Sequence, residues 1–182
     1  LLGNGFVLLM VLSIFLVVGV DVGFNSNSGQ FLIKRFGIDQ TAAESGRSIY
    51  FLGRMLGTFA GAILLTKIST GKFFMWTSVL GILCLTAIVL VKSSAMAWVL
   101  VFLIGLAVAN IWPLVFSIVI GKYPDKSNEI SGLVMMAISG GAVIPLLVGW
   151  VSDISNIALG MTILIACMVY LWLVSVYCLK KQ

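Results

Sequence analysis

Long apolar stretches, separated by short polar segments, run the length of the chain. A helix needs about 20 apolar residues to cross the hydrocarbon of a bilayer. Six stretches meet that requirement, at about 5–33, 48–66, 73–91, 96–120, 130–151 and 158–179. The first is unusual, because the polar run NSNSGQ interrupts it between Gly23 and Gly29–Gln30. Two glycines bracketing polar residues predict a local break in this span, of the kind tolerated only where backbone lines a cavity. The connections GIDQTAAESGR, KISTGK, KSSA, GKYPDKSNE and SDISN are too short to hold another domain. Spans joined so closely pack as antiparallel neighbours, so residues 1–182 read as one six-helix transmembrane bundle.

Composition agrees with lipid as the solvent. Of 182 residues, 61% are hydrophobic and 9% charged, with a mean hydropathy of +1.19, which leaves too little charge to cover a water-facing surface. The net charge of +5 is spread in ones and twos at the ends of apolar runs, the placement that orients membrane proteins. It forms no patch for nucleic acid. Cys84, Cys167 and Cys178 lack ligand spacing and the chain has no histidine, which removes zinc chemistry and histidine acid–base catalysis. No Ser/His pair, Asp pair or metal constellation lies within a span, so neither an enzyme nor a bound cofactor or metal is expected. The chain opens on Leu1 with an apolar run and no basic lead, unlike a signal peptide, and reads as the continuation of a longer polypeptide.

Charge in the loops suggests an orientation. One side carries Lys67, Lys72, Lys122, Lys126, Lys180 and Lys181, and the other Lys34, Arg35, Arg47 and Lys92, six against four. The positive-inside rule puts the first side, with the C-terminus, in the cytoplasm. Trp76, Trp98 and Trp150 lie near span ends, where aromatic belts form.

Small residues mark the expected helix contacts. Gly53, Gly57 and Gly61 recur every four residues in the second span, and Ser139, Gly140, Gly141 and Gly149 dot the fifth. Such stripes let backbones approach closely, as packing surfaces or as interfaces that slide during gating. Pro113 and Pro145 each remove a backbone donor, predicting kinks that free the carbonyls of Ala109 and Gly141.

The polar residues within spans are the functional candidates. Asp21 stands alone as a carboxylate deep in a span. An Asp at a helix centre costs about 2.5–3.5 kcal/mol on insertion scales, so it must face a cavity or a partner. It fits a solute- or proton-binding role and equally a structural pair with Arg54, whose own long stem could snorkel to the interface. Asn25 and Ser28 follow on the same helical face, with Asn27 and Gln30 beside them. In the fourth span Asn110 and Ser117 share a face with Trp112 nearby. Amides and hydroxyls both donate and accept, as a sugar requires. Each also has a bland role: a wet outer segment for the first span, lipid or neighbour packing for Trp112.

The stretch GLAVANIWPLVFSIVIGKYPDKSNEISGLVMMAISGGAVIPLLVGWVSD resembles the tenth and eleventh helices of major facilitator superfamily transporters. The similarity is to the group of the fucose–proton symporter and bacterial glucose/galactose transporters. It rests on Trp112-Pro113, Phe116-Ser117, Met136-Ala137, Gly140-Gly141, Pro145, Gly149 and Ser152-Asp153. GVDVG is similar to that group's Gly-x-Glu/Gln pattern in the seventh helix, Gly53-Arg54 to its eighth, and KISTGK to the basic turn that follows. Asp21 stands where Glu or Gln is commoner, and NSNSGQ replaces a more apolar stretch.

The resemblance implies an all-α membrane fold of two inverted three-helix repeats, the C-terminal half of a twelve-helix transporter whose partner is the N-terminal half. It implies alternating-access transport of a small polar solute, a monosaccharide with a proton, in a bacterial inner membrane. Asp21, Asn25, Ser28, Asn110 and Trp112 would contact solute, Asp21 and Arg54 would couple the proton or pair, and Gly53, Gly57, Gly61, Pro113, Gly140, Gly141 and Pro145 would serve packing and gating. A facilitator of an amino acid, a nucleoside or an exported drug, or a six-helix scaffold, are the alternatives.

Overall fold

The computed structural model describes residues 3–180 and is helical, without strands among the described residues. Leu1, Leu2, Lys181 and Gln182 lie outside the described residues, so Lys181 takes no further part in the orientation argument. Three long helices come first: α1 (Gly5–Phe36), α2 (Gln40–Leu64) and α3 (Thr70–Leu90). The fourth span is α4 (Ser94–Val108) followed by α5 (Ile111–Lys122), and the fifth is α6 (Ser127–Ala137) followed by α7 (Gly140–Ile154). A 3₁₀ turn, Pro124–Lys126, joins them, and α8 (Ile157–Leu179) closes the bundle. The chain is a multi-pass membrane protein. Among the described residues, five of the six spans are long and apolar enough to cross a membrane by length and composition. The remaining one, α2, has the length, with 25 residues, but carries Arg47 and Arg54.

Two expectations about the spans need correcting. The first span is not broken: α1 runs unbroken for 32 residues through NSNSGQ. Its polar side chains turn back onto the helix instead of competing with it, Asn27 Nδ2 donating to the Gly23 carbonyl (2.9 Å) and Ser28 Oγ to the Asn25 carbonyl (3.1 Å). At about 1.5 Å per residue α1 is about 48 Å long, more than the hydrocarbon needs, so its polar end with Lys34 and Arg35 reaches past it. The second span starts at Gln40 and not near residue 48. Asp39 caps it by accepting from Thr41 N (3.0 Å), and Ala43 anchors its first turns in a small core with Leu32 and Ala97.

The breaks in the other spans follow their prolines unequally. The interruption at Ala109–Asn110 lies one turn before Pro113, whose ring cannot donate to the Ala109 carbonyl, as expected. The fifth span breaks at Ile138–Ser139, well before Pro145, which sits inside α7. There the backbone switches to shorter-range bonds, Ser139 N to the Met136 carbonyl (3.1 Å) and Gly141 N to the Ile138 carbonyl (2.9 Å).

The three spans of each half-bundle exchange places across a common core. α2 packs along α4 while α7 packs along α1, and α3 lies against α8. The close approaches repeat this exchange. A Cβ on Gly53 would strike the Phe102 carbonyl of α4, and a Cβ on Gly140 the Phe15 carbonyl of α1. The internal symmetry is that of inverted three-helix repeats. A Cβ on Gly57 would lie 2.7 Å from the Leu106 carbonyl, one on Gly61 would strike the Asn110 side chain, and one on Gly141 would lie 3.1 Å from Val18 and Val22. Ser139 and Gly149 do not join the packed stripe: Ser139 is exposed and nothing lies within 4 Å of a Cβ on Gly149.

Candidate solute site

Asp21 is the seventeenth of the 32 residues of α1, at its midpoint. Its side chain is 15% exposed and forms an ion pair through Oδ2 with Nη1 of Arg54, which is 38% exposed. Its other oxygen, Oδ1, accepts a hydrogen bond from the Tyr50 hydroxyl at 2.5 Å. Tyr50 and Arg54 are one helical turn apart on α2, so both reach the same point on α1. Tyr50 is fully buried, and its ring lies against Phe24 with centroids 5.5 Å apart.

A cleft of about 190 Å³ opens over the pair, lined by Val17, Val18, Asp21, Arg54, Val108, Trp112 and Ile138. Its floor is α1 and α2. Its rim is the two helix interruptions, with Val108 and Trp112 flanking the Ala109–Asn110 break and Ile138 lying in the α6–α7 break. Trp112 is held flat by stacking on Phe116, with centroids 5.3 Å apart and planes 18° from parallel. One charged pair, one aromatic wall and aliphatic sides meet here, a surface that offers both donor and acceptor groups beside an apolar face.

The remaining sequence candidates lie elsewhere. Asn110 is buried at the break of the fourth span, and its Nδ2 donates to the Gly57 carbonyl at 2.7 Å, tying α2 to that break. Ser28 is buried and spends its hydroxyl on its own helix. Asn25 is half-buried, with Oδ1 accepting no hydrogen bond among the described residues, and it does not line the cleft over Asp21. Ser117 borders a different opening with Phe6, Thr70 and Lys122. Tyr50 was absent from the sequence candidates. The four-residue spacing to Arg54 was the signal available for it, hidden because a tyrosine in a span reads first as packing.

This bundle, with a charged pair at the middle of α1 beside two interrupted spans, has the major facilitator fold as one six-helix half. It superposes on the crystal structure of FucP, a major facilitator superfamily transporter in the outward conformation, with a TM-score of 0.91 at 18% identity, covering 97% of this chain and 43% of that one. A structure of the E. coli fucose:proton symporter matches with a TM-score of 0.90 at 18% identity, over 96% of this chain and 43% of that one. In sequence the chain is 28% identical over 162 residues to a glucose/galactose transporter of Brucella abortus, covering 88% of this chain and 39% of that protein. It is 26% identical over 152 residues to the glucose/mannose transporter GlcP of Bacillus subtilis, covering 82% and 37%. The chain thus spans about two fifths of the length of these curated relatives. No protein-family model matches it.

Proposed function

We propose that the chain is the C-terminal half of a monosaccharide transporter that works by alternating access, with solute held over the Asp21–Arg54 pair. The observation that carries this is the pair itself, set at the centre of a span and open to a cleft between two broken helices. Sugar hydroxyls would donate to the carboxylate and accept from the guanidinium, while a ring face rests on Trp112. The relatives' names support the solute class. The exposed apolar rows of α2 (Phe51, Met55, Phe59) and of α6–α7 (Met135, Leu146) are available for the N-terminal half and for lipid. The loop charges support a cytoplasmic C-terminus, and the bacterial sources of the relatives support a bacterial inner membrane.

Coupling to a proton would use the same pair: a proton on Asp21 releases Arg54, linking charge state to solute occupancy. The test is Asp21→Asn in the full twelve-helix protein. pH-driven accumulation of labelled sugar should fall to simple equilibration while counterflow exchange persists at a reduced rate. Undiminished accumulation would remove Asp21 from coupling.

A further inference from the structure

The two partners of Asp21 are held very differently. Arg54 is 38% exposed, on a long side chain that lines the cleft. Tyr50 is wholly enclosed, its ring braced by Phe24 at 5.5 Å and by Phe51 at 5.8 Å. Its backbone is fixed too: a Cβ on Gly105 of α4 would strike the Tyr50 carbonyl, so the two helix backbones touch at this residue. A two-ring-torsion side chain clamped at both ends cannot follow a moving partner, whereas a partly exposed arginine can.

From this asymmetry we propose that Tyr50 is a positioning residue for solute selection: it fixes the plane of the Asp21 carboxylate through Oδ1, and Arg54 is the partner that yields Oδ2 to the solute. This rests on the reading of Asp21 as part of the solute site. A carboxylate has about four acceptor positions on two oxygens. With Oδ1 tied to the wall of the bundle, the free lone pair of Oδ2 points in one direction into the cleft. A hydroxyl of the right configuration meets it, and its epimer does not. A carboxylate held by Arg54 alone would rotate with the guanidinium and lose that discrimination.

The experiment uses Tyr50→Phe in the full twelve-helix protein reconstituted in liposomes, with counterflow of labelled glucose and galactose. The variant removes one oxygen and keeps the ring, so it should melt within a few degrees of wild type. The KM for the preferred sugar should rise about tenfold, the size of one hydrogen bond to a charged acceptor, with a smaller effect on maximal rate. The preference between the two epimers should shrink by a similar factor. In an Asp21→Asn background the same substitution should change KM less than twofold, since Tyr50 acts through Asp21. Unchanged KM and unchanged epimer preference in Tyr50→Phe, with wild-type transport intact, overturn the inference alone. Loss of folded protein in Tyr50→Phe makes the residue structural and overturns it as well. Absence of sugar exchange by the wild type overturns the transport reading, and this inference with it.

Discussion

At the residue scale, the charged pair in the bundle is asymmetric in a way that predicts how its partners behave when separated. Asp21 is 15% exposed and Arg54 38%, so stripping the arginine strands a mostly enclosed charge, whereas stripping the aspartate leaves a cation that can reach water. Arg54→Gln should cost about 3 kcal/mol and Asp21→Asn about 1 kcal/mol, because solvent screens the exposed partner. Replacing both should be milder than Arg54→Gln alone. Melting of the three variants in detergent orders them, and an Asp21→Asn protein that melts below Arg54→Gln would reverse the assignment. The pair was legible in the sequence because each member is a rare charge within an apolar run. Tyr50 was not, since nothing in periodicity separates a tyrosine that packs from one that also donates to a carboxylate. Asn110 shows the converse: a polar residue in a span looks available for solute, yet it is spent on the Gly57 carbonyl (2.7 Å) across a helix interface.

At the scale of elements, the six spans were readable because hydrocarbon imposes a minimum apolar length. Their ends were less so, and for a physical reason. Apolar length stops counting where charge begins, but a helix does not: α2 continues back to Gln40 through Glu44 and Arg47 because Asp39 caps it and Ala43 buries. The same blindness made NSNSGQ look like a break, although Asn27 and Ser28 satisfy themselves on carbonyls of their own helix. Glycine spacing separated packing from filler only in part. Gly53 faces the Phe102 backbone, which cannot give way, whereas the surroundings of Gly149 are open. Gly53→Ala should therefore destabilise by about 1–3 kcal/mol through overpacking, and Gly149→Ala should be neutral or stabilise by up to about 1 kcal/mol through helix propensity. Thermal melting of the two variants side by side checks this; equal melting points would mean the α2–α4 approach is not close.

At the scale of the whole molecule, the exchange of α2–α4 for α7–α1 ties both interrupted spans to the unbroken ones and places both breaks around one charged pair. A bundle so arranged has a defined sense in the membrane. If the C-terminus is cytoplasmic, as proposed, Lys92 between α3 and α4 would lie outside and Lys126 between α5 and α6 inside; both side chains are exposed. The native cysteines Cys84, Cys167 and Cys178 are buried and give little background. An impermeant maleimide should label Lys92→Cys in intact cells and Lys126→Cys only after permeabilisation; the opposite pattern inverts the topology. The most direct measurement is saturable uptake of labelled glucose and galactose by the full twelve-helix protein in liposomes, with wild type and Arg54→Gln compared. Uptake that unlabelled monosaccharides compete away, amino acids and nucleosides do not, and Arg54→Gln reduces at least tenfold is the expected result. Uptake of no monosaccharide, or uptake indifferent to Arg54, would contradict a solute site built on the Asp21–Arg54 pair.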